Sequence, residues 1–220
     1  MTKKLYSNIL RTLAPGKLLV AVGLMTAIHQ ASAVPVTVQE MGVGQNEVVQ
    51  ITSSTLGTAW VYAGIIHLTV NGTATDGFCI DPFHWSVTGP QPYNTEPLAS
   101  APKSPVNGMG AASALKIEQL WGHFYSHNMS NQDAAGLQIA IWEIVGGLNF
   151  QLDSAPDYGA STMLQWVSNN PNATPANLLA VTGPGQDYVI PCVPDGGTTA
   201  LLLGAGLAAM AIMRSKFVRA

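Results

Sequence analysis

The sequence predicts an α+β fold, in which a β barrel or sandwich packs against a helical insert. Runs of β-branched residues come first, apolar stretches with helical spacing follow, and a strand-like run closes the domain. Both ends of the 220-residue chain differ from this middle part, because each combines a short apolar stretch with basic residues. We therefore expect one domain, flanked by an N-terminal signal peptide and a short C-terminal apolar sorting helix.

Residues 1–33 have the organisation of a secretory signal peptide. An apolar stretch from Leu18 to Ile28 ends at Ala31-Ser-Ala33, a small-x-small cleavage pattern, and it follows four basic residues: Lys3, Lys4, Arg11 and Lys17. The stretch is too short to span a bilayer, which disfavours a permanent N-terminal anchor. We expect export of the chain and a mature start near Val34.

The first strands of the domain are predicted at Val34–Val38 and Glu47–Thr52, and a hairpin follows them. Asn71-Gly72 separates the β-rich runs 58–70 and 73–80, and Asn-Gly is a preferred two-residue hairpin turn. A two-residue loop predicts the cross-strand pairs 70/73, 68/75, 66/77 and 64/79. In that register Cys79 points to the apolar face, opposite Gly64, where the missing side chain leaves room beside the sulfur.

Three helices and a closing strand are predicted in the second half. Residues 86–110 are rich in Pro, Gly, Ser and Asn and are typical of a long loop. The helices are expected at residues 111–124, 134–145 and 160–168, and the strand at residues 186–190. This order of elements supports the α+β prediction.

The helix predicted at residues 134–145 carries a polar residue, Gln138, on its apolar stripe. Ser130 and Asn131 precede it, and Asp133 lies in its first turn, which suits a helix start. Its interior is apolar nearly all round, as in a buried helix. Gln138 lies on the stripe formed by Ala134, Ile141, Trp142 and Val145. A neutral amide at such a position must form hydrogen bonds, or it must react.

Charge separates the middle of the chain from its ends. Seven of the nine Lys and Arg residues lie in the terminal segments, which leaves Lys103 and Lys116. All twelve acidic residues lie between Glu40 and Asp195, so segment 34–197 has two basic residues against twelve acidic ones and a net charge near −10. Such a surface repels nucleic acid and anionic lipid, so we expect neither as a partner.

Two short motifs resemble those of the thioester domains of bacterial surface adhesins. Phe78-Cys-Ile-Asp81 stands where those domains carry an aromatic-Cys motif on a strand, and Leu137-Gln-Ile-Ala-Ile-Trp142 matches their Gln-x-Ala-Ile-Trp helix motif. In that family the thiol attacks the Gln carboxamide, ammonia leaves and an internal thioester remains. The resemblance implies a thioester-type extracellular domain over residues 34–190, with a Cys79–Gln138 bond and a supporting shell of Phe78, Asp81 and Trp142.

A thioester places physical demands on its surroundings. It is activated relative to an amide, so its groups must be held together, where effective molarities reach about 10⁵–10⁸ M. Water must also be excluded, and an apolar wall of Phe78, Ile141, Trp142 and Trp85 would do this. A partly buried thiol has a raised pKa, so a donor such as His84 is needed, while Asp81 suits a turn-forming role. Opening by an amine of a surface or matrix partner gives one bond per molecule, so we expect no enzyme, no metal and no cofactor.

The C-terminal residues 191–220 resemble a sorting signal of the PEP-CTERM kind, in its Val-Pro-Asp-Ser-Gly variant. The motif occupies Val193, Pro194, Asp195, Gly196 and Gly197, with Gly196 where the variant has Ser. An apolar segment from Ala200 to Met213 and the basic residues Arg214, Lys216 and Arg219 follow. The resemblance implies processing by an exosortase-type enzyme and transient membrane association. It also implies a place on the cell surface or in the extracellular matrix of a Gram-negative-type bacterium. A permanent single-span anchor is disfavoured because the apolar segment is short.

Other interpretations remain open at this stage. Cys79 and Cys192 could form a disulfide, or both could be inert thiols. His123 and His127, spaced i, i+4, could ligate a metal. The tryptophans are expected in the core rather than on a sugar-binding surface (Trp60, Trp121, Trp142 and Trp166). A non-covalent structural or exopolysaccharide-associated matrix protein is the alternative function, and a hydrolase using Cys79 with a histidine is a third.

Overall fold

The computed structural model describes residues 33–102, 108–192 and 203–204. The predicted signal peptide up to residue 32 and the sorting motif lie outside these residues, and of the predicted apolar sorting helix only Leu203 and Gly204 are described, both as helical. Among the described helices, none is long and apolar enough to cross a membrane.

Seven antiparallel strands form the β part of the described chain. Their order is β2-β3-β7-β6-β4-β1-β5, and because β1 also pairs with β2, six of them close into a ring of pairings with β5 added on β1. Their bounds are β1 Val34–Ser53, β2 Gly57–Val70, β3 Thr73–Cys79, β4 Gln91–Pro97, β5 Phe150–Leu152, β6 Leu178–Thr182 and β7 Tyr188–Pro191.

Three α-helices lie between β4 and β6 in the described part of the sequence. They are α1 Gly110–Phe124, α2 Asn131–Gly146 and α3 Ala160–Asn169. Short 3₁₀ turns at Leu98–Ser100 and Gly147–Asn149 follow β4 and α2. This arrangement confirms the predicted α+β fold with a helical insert.

β1 is one long strand rather than the two short runs predicted. Register shifts between Glu40 and Gly42 and between Val43 and Asn46 interrupt its pairing with β2. Such bulges bend a strand and increase its twist. The bend lets the first half of β1 pair with β4 and its last residues pair with β5.

The predicted hairpin register is confirmed near the turn and is wrong further on. Pairs 70/73, 68/75 and 66/77 are present, but the β2–β3 ladder ends there, so the pair 64/79 is absent. Gly64 pairs with Asn46 on the β1 side of β2, and Cys79 pairs with Tyr188 on the β7 side of β3. A Cβ on Gly64 would clash with the carbonyl oxygen of Gln45. Gly64 therefore permits the close approach of β1 at its bulge, and it does not leave room beside the Cys79 sulfur.

The prediction of a continuous loop over residues 86–110 is wrong at β4. Two prolines, Pro92 and Pro97, and several polar residues give this segment a low intrinsic preference for a strand. It becomes a strand because β1 pairs with it on one side and β6 on the other. Tertiary pairing thus overrides local propensity here.

α2 is the central element of the core. Ser130 caps it by accepting a hydrogen bond from the N–H of Asp133 at 3.1 Å, as its start signals predict. Every residue from Ala134 to Trp142 is buried, so the helix lies between the strands and the other two helices. Burial on all sides places Gln138 deep in the domain, with no exposed surface.

Candidate functional site

Gln138 forms two hydrogen bonds to the backbone of Cys79. Its Oε1 accepts from the Cys79 N–H at 2.9 Å, and its Nε2 donates to the Cys79 carbonyl at 2.8 Å. Cys79 is the last residue of β3, where the ladder with β2 has already ended. The structure therefore brings together the two residues that the sequence motifs single out, and both are buried.

The Cys79 sulfur lies in an environment that keeps it protonated. Burial is the largest cause that raises the pKa of the thiol well above its usual range, and the carboxylates of Asp81 and Asp187 add to the rise. The indole of Trp142 and the N–H of Asp81, which donates to Sγ at 3.2 Å, act in the opposite direction. At neutral pH Cys79 is a neutral thiol rather than a standing thiolate.

Trp142 carries an unpaired polar group next to this thiol. It lies one helical turn after Gln138 on α2, and its side chain is 2 % exposed. Its indole lowers the pKa of Cys79 as a donor on the side of the sulfur, but its N–H has no partner at hydrogen-bond distance and angle among the described residues. An unsatisfied buried donor costs the folded state about 1–3 kcal/mol.

Asp81 organises the turn after β3. Its Oδ1 accepts a hydrogen bond from the N–H of Phe83 at 3.0 Å, and its Oδ2 lies 2.7 Å from Nδ1 of His84. These contacts match the turn-forming role expected for Asp81. The hydrogen bond of His84 goes to Asp81 and not to the sulfur, so the structure gives His84 no direct contact through which to deprotonate Cys79.

The apolar wall expected around the bond is present in part. Phe78 and Ile141 have no exposed surface, and Phe78 packs edge-on against Trp121 with ring centroids 5.2 Å apart. Trp85 is 57 % exposed and is not part of this wall. Phe78, Ile141 and Trp142 are buried, as a water-excluding wall requires, and of these three Trp142 lines the groove that reaches Cys79.

A groove of about 250 Å³ connects the molecular surface with Cys79 and Trp142. Three exposed aromatic side chains line it: Trp60, Tyr62 and Trp85. Its lining also contains the carboxylate of Glu40 and includes no Lys or Arg among the described residues. The expectation that Trp60 belongs to the core is wrong. The sequence signal that could have placed Trp60 on the surface is the alternation of side chains along β2, in which positions 60 and 62 point outward.

A second cavity, of about 360 Å³, lies on another side of the Asp81 turn. Asp187, Asp81 and His84 contribute to its lining. Burial raises the pKa of Asp187 to about 7, even though its Oδ1 accepts a hydrogen bond from the N–H of Gly183 at 3.0 Å. This half-charged carboxyl at neutral pH had no signal in the sequence, because only packing buries it.

The two cysteines do not form the disulfide considered above. Both are free, and Cys79 lies opposite Tyr188 of β7, four residues before Cys192. At about 3.3 Å per residue that separates the two positions by roughly 13 Å along the strand. A disulfide needs Cα atoms within about 7 Å, so this hypothesis is wrong for the folded domain.

The two histidines of the metal hypothesis lie in different surroundings. α1 ends at Phe124, so His127 lies outside the helix that i, i+4 spacing requires. His123 stacks on Trp166 with ring centroids 3.8 Å apart, and Nδ1 of His127 lies 3.2 Å from a carboxylate oxygen of Asp76. They do not form a joint metal site.

Comparisons with known proteins bear on both parts of the chain. The family described as the VPDSG-CTERM motif matches residues 193–217, which include Val193 to Gly197. Among solved structures, the chain is similar to the N-terminal thioester domain of a surface protein from Clostridium perfringens. That similarity has 17 % identity and a TM-score of 0.40, and it covers 57 % of this chain and 86 % of the other. No curated protein matches the chain. The motif confirms the predicted C-terminal sorting signal and indicates an exported surface protein.

Proposed function

We propose that residues 34–190 form an extracellular domain that builds a thioester between Cys79 and Gln138 and uses it to capture an amine covalently. The observation that carries this proposal is the pair of hydrogen bonds between the Gln138 carboxamide and the Cys79 backbone, at 2.9 and 2.8 Å. They hold the amide carbon against the residue that bears the thiol, inside a core that excludes water.

The same hydrogen bonds fit the step that forms the thioester. The sulfur attacks the amide carbon, a C–S bond forms and the C–N bond breaks. The thiol proton passes to the departing nitrogen, and ammonia leaves. The N–H of Cys79 already donates to Oε1, the atom on which negative charge develops, so it acts as an oxyanion donor.

The groove supports the capture step. An alkylammonium ion is attracted to the faces of Trp60, Tyr62 and Trp85 and to the carboxylate of Glu40. The acidic charge of segment 34–197 adds a long-range attraction for cationic partners. After losing a proton, the amine attacks the thioester carbonyl, the C–S bond breaks and Cys79 becomes a thiol again. Each molecule therefore bonds one amine on a surface or matrix partner and is not an enzyme.

The C-terminal sorting signal supports a location outside the cell for the proposed amine capture. A sorting motif with a following apolar segment suits transient membrane association and processing by an exosortase-type enzyme. In this proposal the domain then acts in adhesion at the cell surface or in the extracellular matrix of a Gram-negative-type bacterium.

A second candidate is a non-covalent structural or matrix protein, and one observation favours it. Both polar atoms of the intact Gln138 amide are hydrogen-bonded to the Cys79 backbone, and the thiol is neutral, so the pair is also stable without reaction.

The mass of the freshly purified chain distinguishes the two candidates. With a Cys192→Ser background and without added amines or reductants, we expect a deficit of one ammonia. Cys79→Ala is the decisive variant, since the Gln138 hydrogen bonds go to the backbone of residue 79 and survive the substitution. We expect the full mass for Cys79→Ala, and methylamine incorporation at Gln138 only in the parent. A full mass in the parent would leave the structural candidate.

A further inference from the structure

We propose that Trp142 is a catalytic hydrogen-bond donor to the Cys79 sulfur, kept unpaired in the resting protein for the charge that develops when the C–S bond breaks. This inference rests on the proposed thioester. It assigns to Trp142 a chemical role beyond that of an apolar wall.

The first argument is the state of the indole N–H. Among the described buried side chains, the Nε1 atom of Trp142 is the one nitrogen or oxygen without a hydrogen-bond partner. Buried polar groups are almost always paired, so an unpaired donor at a reaction site requires an explanation. A donor whose acceptor appears only during the reaction provides one, because it stabilises the transition state more than the ground state.

The second argument is placement. Trp142 and Gln138 are spaced i, i+4 on α2, so both side chains lie on the face that meets Cys79. Trp142 and Cys79 also line the same groove. The indole lowers the pKa of the Cys79 thiol, which agrees with a donor facing the sulfur.

The third argument is that each atom that gains charge has its own donor. Oε1 of Gln138 receives the N–H of Cys79 at 2.9 Å, and the sulfur receives the N–H of Asp81 at 3.2 Å. In the capture step the amine nitrogen bonds to the Gln138 carbonyl carbon. The electron pair of the C–S bond moves to sulfur, and the proton lost by the amine returns to sulfur as the thiol forms. The Asp81 N–H is the donor that the sulfur already has, and the Trp142 N–H supplies a second donor for the departing thiolate.

The test compares two tryptophans that are both buried. Trp142→Phe keeps an aromatic ring and removes the N–H, and Trp121→Phe is the matched control, since Trp121 packs on Phe78 and is 5 % exposed. A second replacement of Trp142, by benzothienylalanine, keeps both rings and exchanges the N–H for sulfur, so it preserves packing if the Phe variant folds poorly. All variants carry Cys192→Ser.

Two readouts are needed. The rate of methylamine incorporation, divided by the amount of thioester present, is expected to fall at least about 10-fold in both Trp142 variants and less than about 2-fold in Trp121→Phe. After methylamine has opened the thioester, the pH dependence of Cys79 alkylation is expected to shift to higher pH in the Trp142 variants. A merely structural role would leave this pH profile unchanged.

The outcomes separate the two proposals. If the parent shows neither an ammonia deficit nor methylamine incorporation, the proposed thioester fails. If the parent reacts but both Trp142 variants capture methylamine at the parental rate per thioester, with the parental pH profile, the donor role of Trp142 is refuted and the thioester stands.

Discussion

Gln138 and Gln119 are two buried glutamines on neighbouring helices with different surroundings. Gln138 is bonded to the backbone of a cysteine, whereas Nε2 of Gln119 donates to the carbonyls of Pro171 and Ala173 at 2.9 and 3.1 Å. Both side chains are almost fully buried, at 0 % and 3 % exposure. Burial and hydrogen bonding alone therefore do not distinguish a reactive amide from a structural one.

The difference lies in what surrounds each carboxamide. Gln119 ties α1 to the turn after α3, and its partners are backbone carbonyls that cannot attack it. Gln138 faces a residue with a thiol, an oxyanion donor and the unpaired N–H of Trp142. A nucleophile and donors for developing charge, placed together, are what a structural glutamine lacks.

The largest expected effect comes from truncating each glutamine. Gln138→Ala leaves the buried N–H and C=O of Cys79 without partners and opens a cavity, so we expect the free energy of unfolding to fall by about 3–5 kcal/mol. Gln119→Ala loses two hydrogen bonds, whose acceptors Pro171 and Ala173 lie in a turn that water can reach, and we expect a loss of about 1–3 kcal/mol. Urea denaturation measures both.

The same two variants also test whether only Gln138 takes part in the proposed chemistry. Gln119→Ala should retain the ammonia deficit and the methylamine reaction, and Gln138→Ala should lose both. Retention of the mass deficit in Gln138→Ala would show that another group reacts, and its loss in a folded Gln119→Ala would show that the whole insert is needed.

A smaller effect on the free energy of unfolding is expected from pH, through Asp187, whose charge acts on Cys79. Asp187 has a folded-state pKa of about 7, above its ordinary value of 3.8, so folding favours its protonated form. Its contribution to stability is present below about pH 4 and is lost as the pH rises to about 7. We expect Asp187→Asn to remove this decline and to be more stable than the parent at pH 8 by about 2 kcal/mol. Urea titrations at pH 4, 6 and 8 test this, and equal slopes in both proteins would contradict it.

The smallest effect is expected at the mouth of the groove. Trp60 is 62 % exposed, so Trp60→Ala should remove one aromatic face without disturbing the core. A cation–π contact at an exposed site contributes about 0.5–1 kcal/mol, which predicts a 2- to 5-fold lower capture rate for a lysine peptide relative to methylamine. Leu115→Ala, on the exposed side of α1, is the control and should leave this ratio unchanged. An unchanged ratio in Trp60→Ala would show that the groove does not contribute to partner binding.

Local patterns were sufficient for the helices and for the turn of the hairpin. The caps of α2, the Asn71-Gly72 turn and the pairs 66/77 to 70/73 follow from side-chain chemistry within a few residues. β4 was missed because its prolines oppose a strand and only its neighbours stabilise it. The bulges of β1 were missed because a bulge depends on which strands pair on either side.

The features of the candidate site were likewise predictable only in part from the sequence. The motifs around Cys79 and Gln138 identified the two residues that the structure brings together, but the predicted pair 64/79 is absent because the β2–β3 ladder ends at 66/77. The turn-forming role of Asp81 was predictable from its position after β3, and its hydrogen bond to Phe83 agrees with it. The pKa of Asp187 and the unpaired Trp142 N–H had no local signal, whereas the alternation along β2 was a signal for the exposed positions of Trp60 and Tyr62.

By itself, the sequence determined the three helices, the Asn71-Gly72 turn, the acidic character of segment 34–197, the C-terminal sorting motif and the two motif residues. These features depend on residue type and short-range spacing, which are properties of the chain even before it folds. Only the tertiary structure decided that the Gln138 amide meets the backbone of Cys79, that the thiol stays neutral and that one indole N–H is left unpaired. Those properties depend on burial and on groups some sixty residues apart being packed together, and packing exists only in the folded domain.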